Sequence, residues 1–311
     1  MPDIAISADK LTKRFGKFTA VDGISFEISY GSIFGFLGAN GAGKSTTIRM
    51  LCGILAPTSG NGKVGGFDVQ TQPEQIKGVI GYVSQRFSLY SDLNVVENLH
   101  FYGQIYGLEG TALSNRIKEV LAITGLDHFR HQLSGELSGG WKQKLGIANA
   151  ILHKPKIIFL DEPTAGLDPL ARRGIWELLY QLAEAGTSLF VTTHYMEEAE
   201  RCNTIAFISA GKILKIGQPT VLRQKLDGQI LEVACQPLMK ASRLFLTLEG
   251  VRGVTVYGTT LNLNVNDEKA VEKRVIAAAS KEGVTINSIK PIAASLEDVF
   301  SDLDAGRVTH A

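Results

Sequence analysis

The apolar positions along the chain form two kinds of run, and the two alternate. Short, nearly continuous apolar stretches bounded by turn residues predict strands at Ile33–Leu37, Val79–Val83, Lys156–Asp161 and Ser188–Thr193. Continuous apolarity suits strands covered on both faces, as in a mainly parallel sheet flanked by helices. Ile48–Leu55 reads as a helix stopped by Pro57. Between Phe87 and His153 the pattern is helical, with glycine breaks at Gly107, Gly110, Gly125 and Gly135. That predicts a helical insertion between strands.

The pattern changes after Gly217-Gln218-Pro219. Ile230–Cys235, Val254–Tyr257, Leu261–Val265 and Ile286–Ile292 read as strands, and Leu238–Leu248 and Glu268–Lys281 as helices. The order β-α-β-β-α-β predicts a small α+β domain of ferredoxin-like type. The expected organisation is one α/β domain over 1–217, with its helical part at about 87–153, and an accessory domain over 218–311.

Composition agrees with two domains, since 311 residues exceed the roughly 150 typical of one. With 32 basic and 31 acidic residues the net charge is +1, so no basic footprint points to nucleic acid, and no such partner is expected. Cys52, Cys202 and Cys235 are odd in number and far apart, which suits buried thiols in a reducing compartment better than disulfides or a metal site. Met1–Arg14 has no apolar signal region, and the best apolar run, Gly31–Leu37, falls far short of the ~18 residues that span a bilayer. A role at a membrane would therefore need another chain as anchor.

The strongest local signal is Gly38-Ala39-Asn40-Gly41-Ala42-Gly43-Lys44-Ser45-Thr46, placed between a strand and a helix. Glycines let backbone N–H groups converge on phosphate oxygens, and the following helix adds its positive end. Lys44 is placed to neutralise the β- and γ-phosphates and Ser45 to ligate Mg²⁺. A second centre follows Ile157-Ile158-Phe159-Leu160, where the strand delivers Asp161 and Glu162 to the same sheet edge. Asp161 suits the Mg²⁺ shell and Glu162 the activation of an attacking water. Many buried strands end in Asp only to cap a turn, so this centre gains force from its pairing with the phosphate loop. In Leu137-Ser138-Gly139-Gly140-Trp141, Ser138 reads as an N-cap. Local physics leaves two readings there, an ordinary capped helix or a second anion site.

The order of these elements resolves the choice. Phosphate loop, Gln85, LSGGW, acidic strand, Ala165-Gly166-Leu167-Asp168 and a strand ending at His194 together closely resemble the ABC ATPase family over roughly Leu11 to Gly217. The resemblance implies a P-loop NTPase cassette of ABC type with an antiparallel β edge and a helical insertion. It implies a head-to-tail dimer of two copies that sandwiches two ATPs with Mg²⁺. In such a dimer Ser138 and Gly140, beside Gly139, meet the γ-phosphate held by the partner copy's loop. Gln85 would contact Mg²⁺ and the water, Asp168 would signal across the dimer, and His194 would grip the γ-phosphate. Phe15 matches the aromatic that stacks on adenine, with Phe18 as a nearby rival. The family usually has Gln where this chain has Trp141; Ser138 and both glycines are intact, so activity is expected to survive.

Tyr82–Tyr90, the LSGGW variant and Ala294-Ser295-Leu296-Glu297-Asp298-Val299-Phe300 look like the drug-exporter branch of that family. In that branch the permease is a separate chain and the ATPase lies peripherally on the cytoplasmic face of the membrane. Phe87, Leu89 and Tyr90 would then help line a groove for a short permease helix, the alternative being the core of the helical insertion. Two other functions stay open: a soluble ATPase that remodels ribosomes or nucleic acid, and a ligand-sensing module built on the C-terminal domain.

Overall fold

The computed structural model describes residues 4–85, 88–226 and 228–308, with side chains as far as Leu303. Contact density divides the chain into two units, Met1–Lys215 and Ile216–Ala311.

The first unit opens with an antiparallel hairpin, β1 (Ile4–Phe15) and β2 (Phe18–Ser29). β3 (Ile33–Leu37) leads into the glycine-rich loop and α1 (Lys44–Leu51). β4 (Ser59–Val64) and β5 (Phe67–Asp68) return to the hairpin, giving a four-stranded sheet in the order β2-β1-β4-β5. Then come α2 (Pro73–Val79) and β6 (Ile80–Val83). The helical insertion holds α3 (Val95–Ile105), α4 (Gly110–Thr124) and α5 (Gly139–Ala150). β7 (Ile157–Asp161), α6 (Pro169–Glu184), β8 (Ser188–Thr193), α7 (Met196–Ala199), β9 (Thr204–Ser209) and β10 (Lys212–Gly217) follow. The second sheet has the order β10-β9-β3-β8-β7-β6. From β9 to β6 every pairing is parallel.

Every residue of β3, β7 and β8 is buried, which explains their unbroken apolar runs. The two sheets share one core, centred on Phe26, Phe34, Phe36, Phe159 and Phe190. Phe190 lies 5.4–6.1 Å, ring to ring, from the other four. The helix expected over Ile48–Leu55 instead starts at Lys44, where left-handed Gly43 turns the loop into it, and ends at Leu51. Gly53, with φ +67°, turns the chain away before Pro57 is reached.

Asn98 pins the start of the insertion from within α3. It is fully buried. Its Nδ2 lies 3.1 Å from Tyr90 O, 3.1 Å from Leu93 O and 3.0 Å from Asn94 O, and its Oδ1 accepts Tyr90 N–H at 3.1 Å. Asn94 caps α3 in a reciprocal box with Glu97.

The second unit begins with α8 (Pro219–Gln224), followed by β11 (Gln229–Gln236), α9 (Leu238–Leu246), β12 (Val251–Tyr257) and β13 (Thr260–Val265). α10 (Glu268–Glu282), β14 (Thr285–Ile292) and α11 (Leu296–Val308) complete it. The antiparallel order β12-β13-β11-β14 is the ferredoxin-like arrangement that the pattern predicted. Its core is formed by Leu231, Val233, Phe245, Leu261, Leu263 and Val275 with their neighbours. α8 and α11 are additions to that motif. The three cysteines are buried and form no disulfides. No helix among the described residues is long and apolar enough to cross a membrane.

Replacing Asn98 by Leu keeps the branched shape but strands the polar groups that it satisfies. We expect a loss of about 2 kcal/mol. Urea unfolding followed by tryptophan emission checks this, because Trp141 and Trp176 both lie in the first unit.

Candidate active site

Four neighbouring parallel strands end at one edge of the second sheet, and each hands over a polar group there. Leu37 pairs with Thr193, Asp161 with Thr192 and Val83 with Leu160, so the strand ends are level. β3 delivers the glycine-rich loop, β7 Asp161 and Glu162, β8 His194, and β6 Gln85. The loop needs glycine at Gly38, where a Cβ would stand 2.3 Å from Ile208 O, and at Gly43, whose φ is +110°.

The groups converge on Glu162. Lys44 Nζ lies 3.0 Å from its Oε1 in a buried ion pair. Lys44 also donates to Gly38 O at 2.8 Å and Ala39 O at 3.2 Å. Gln85 Nε2 donates to Glu162 Oε2 at 3.2 Å. His194 Nδ1 is 3.3 Å from that same oxygen, close enough for an ion pair but without hydrogen-bond geometry. Glu162 itself has φ +50°, a strained value for a non-glycine residue. Beside it Ser45 Oγ donates to Asp161 Oδ1 at 3.2 Å. A cavity of about 480 Å³ opens over this cluster, lined by Phe18, Asn40, Gly41, Gly43, Thr46 and Gln85 among others. Phe18 reaches its wall, whereas Phe15, directly opposite on β1 and half exposed, does not.

The signature segment stands apart. Ser138 occupies the N-cap position of α5, but its side chain makes no capping hydrogen bond. It lines a separate cavity of about 500 Å³ with Gly140, Trp141, Asp168 and Leu170, which is 80% exposed. Gly140 must be glycine, since a Cβ there would meet Ala171 Cβ at 2.8 Å. Trp141 packs on Phe129 at 4.4 Å, with Lys144 Nζ 4.6 Å over its ring. Asp168 caps α6, accepting from Leu170 N and Ala171 N. The site residues expected from sequence thus fall into two groups: Lys44, Ser45, Gln85, Asp161, Glu162 and His194 in one place, and Ser138, Gly140 and Asp168 in another.

Sequence reasoning missed the groups behind these. Thr192 Oγ1 donates to Asp161 Oδ1 at 2.7 Å and accepts Glu162 N–H at 2.9 Å, fixing both acids. Glu198, 1% exposed, accepts from Thr164 Oγ1 and from Thr193 Oγ1 at 2.7 Å, with Arg172 Nε 3.6 Å away. It ties the turn before Asp168 to the strand end before His194. Threonines beside charged motif residues were the available signal.

The ABC transporter family profile matches residues 21–165. The profile described as ATP-binding protein DrrA1-3-like, C-terminal domain, matches residues 217–303. The linearmycin resistance ATP-binding protein LnrL of Bacillus subtilis is 37% identical over 304 residues, covering 96% of this chain and 97% of that protein. The daunorubicin/doxorubicin resistance ATP-binding protein DrrA of Streptomyces peucetius is 33% identical, covering 96% and 92%. The probable multidrug ABC transporter ATP-binding protein YbhF of Escherichia coli is 43% identical over 221 residues, 71% of this chain; the match spans only 38% of that longer protein. Among solved structures, cbiO1 of Clostridium perfringens, part of the ABC transporter complex cbiONQ, matches with a TM-score of 0.67 at 27% identity, over 72% of this chain and 92% of that one. A dimeric ATP-binding cassette in a post-hydrolysis state with ADP and Pi matches with a TM-score of 0.62 at 26% identity, over 68% and 98%.

We expect Lys44→Ala to lose nucleotide binding, measured with a fluorescent ATP analogue. Glu162→Gln should keep binding while phosphate release falls by a factor on the order of 10²–10⁴. Thr192→Val should bind ATP and lose roughly ten-fold or more in turnover, because it only positions the acids. Unchanged turnover in Glu162→Gln would remove Glu162 from the chemistry.

Proposed function

The chain belongs to the ABC transporter family of ATP-binding proteins, and from that premise we propose that it is the ATP-hydrolysing subunit of an exporter whose permease is a separate chain. The observation that carries this reading is the convergence of Lys44, Gln85 and His194 on the Glu162 carboxylate, one residue from the Ser45–Asp161 pair. The names of the full-length relatives, both resistance ATP-binding proteins, favour transport over ribosome or nucleic-acid remodelling.

In this reading the loop's backbone N–H groups cradle the ATP phosphates, and Lys44 turns from Glu162 to the β- and γ-phosphates. Glu162 is then left to take a proton from the attacking water, with Gln85 and His194 holding water and γ-phosphate. Ser45 Oγ and Asp161 Oδ1 are hard oxygen donors 3.2 Å apart, a set that fits Mg²⁺. They would hold that ion with Gln85, and it would neutralise charge on the phosphates. Phe15 or Phe18 stacks on adenine.

The cavity at Ser138 shares no lining residue with the cavity over its own chain's loop cluster. A second copy arranged head to tail brings Ser138, Gly139 and Gly140 to the γ-phosphate, and Asp168 beside them. Trp141 then lies at that seam. The subunit acts peripherally at the cytoplasmic face of the membrane, held by the permease.

The docking surface proposed for the permease is the aromatic edge of the insertion. Tyr90, 45% exposed, stacks edge-on to Phe101 at 4.6 Å, and Ile105 on the same helix is 61% exposed. Leu89 is half-buried, and Phe87 lies outside the described residues. Val95 is fully buried and belongs to the core of the insertion. Aromatic anchors with exposed edges suit a short helix laid into a groove.

Two outcomes test this reading. ATP should convert Glu162→Gln from monomer to dimer on a sizing column, and Ser138→Arg should abolish the conversion. Wild-type activity that stays constant per chain down to a demonstrated monomer would sink the sandwich. Tyr90→Glu and Leu89→Glu should leave basal ATPase intact but lose co-purification with the permease; undiminished capture in both would place docking elsewhere.

A further inference from the structure

His194 follows the last residue of β8, and no hydrogen bond among the described residues fixes its imidazole. Its Nδ1 is buried 3.3 Å from Glu162 Oε2, without hydrogen-bond geometry. A ring that must meet one phosphate oxygen needs its direction set, because a misplacement of about 1 Å can cost on the order of 10²-fold in rate. Packing has to supply what hydrogen bonding does not.

The next residue supplies it. Consecutive side chains along an extended strand point to opposite sides. Here Thr193 Oγ1 accepts Tyr195 N–H at 3.0 Å and folds the chain back at His194. The two rings therefore come together, with centroids 4.1 Å apart and planes tilted by 37°. The Tyr195 hydroxyl makes no hydrogen bond among the described residues, so the ring is the part that the site uses.

Arg172 holds that ring in turn. Its guanidinium carbon lies 4.2 Å from the Tyr195 centroid, a cation–π distance. Its Nε is buried 3.6 Å from Glu198 Oε1. Arg172 stands one turn into α6, where its N–H donates to Asp168 O at 2.9 Å. Asp168, Arg172, Tyr195 and His194 thus form one chain of contacts. It runs from the cavity at Ser138, which Asp168 lines, to Glu162, which lines the cavity over the loop. Glu198 joins the backbone of these two regions through threonines; Arg172 and Tyr195 carry the connection to the imidazole itself.

We propose, on the reading of this cluster as an ATPase centre, that Tyr195 is a positioning residue: it sets the direction of the His194 imidazole and is itself held by Arg172. The helix that Asp168 caps thereby bears on how His194 meets the γ-phosphate.

The test is steady-state phosphate release by the full-length chain. Tyr195→Leu should lower kcat about ten-fold while KM and the affinity for a fluorescent ATP analogue stay at wild-type values. Tyr195→Phe keeps the ring and should restore kcat to within about two-fold of wild type. Arg172→Lys keeps a charge beside Glu198 but gives up the planar contact, and should lower kcat about three-fold. In Tyr195→Leu it should cost nothing further, because Arg172 acts through the ring. Should Tyr195→Leu fail to fold, the kcat of Arg172→Lys at unchanged KM decides. Wild-type kcat in a folded Tyr195→Leu, a Tyr195→Phe as slow as Tyr195→Leu, or a loss seen in KM instead of kcat overturns the proposal. Full turnover in Glu162→Gln would remove the reading of the site and the proposal with it. An inactive Glu162→Gln beside a fully active Tyr195→Leu would remove the proposal alone.

Discussion

Glu162 holds its carboxylate on a strained backbone, and the arrangement of the first unit depends on keeping it there. Its φ of +50° is maintained because Thr192 accepts its N–H and Lys44 pairs with its side chain at 3.0 Å. A buried ion pair of this kind adds little net stability, since desolvation offsets much of the attraction. Its value lies in geometry. One ammonium is poised between a carboxylate and a phosphate-binding loop, so an incoming anion can exchange partners with it without either charge leaving the site.

The parallel sheet supplies the precision. Level strand ends put groups far apart in sequence within hydrogen-bond range, Gln85 and Glu162 among them. The phenylalanine core beneath leaves the strands little freedom to slide, because close-packed interiors resist displacement. Behind the visible residues, Glu198 joins Thr164 to Thr193, and so couples the Asp168 turn to the His194 strand within one chain.

Much of this was legible in the sequence. Buried strands announced themselves as unbroken apolar runs, and the motifs beside them fell where strand ends must lie. The βαββαβ order of the second unit was readable because its strands alternate with well-formed helical patterns. What escaped has physical reasons. The hairpin β1–β2 mixes polar and apolar residues along 12-residue strands with several register shifts, so no clean period survives. α11 carries acids on the face that meets the sheet, against the ordinary expectation that a packed face is apolar. Thr192 and Glu198 bear no motif of their own; their importance comes from contacts 31 and 34 residues away. Whether Phe15 or Phe18 reaches the cavity turned on which strand of a hairpin faces it, a matter of twist that one sequence does not encode visibly.

The separation of the loop cluster from the Ser138 cavity has a genetic consequence. If each working site borrows half its parts from a neighbouring chain, a subunit damaged in both halves spoils every site it joins. Mixed in equal amounts with intact subunits, such a chain would leave about one quarter of the pairs fully competent. Defective alleles would then be dominant, and their severity would follow from assembly statistics rather than from loss of dosage.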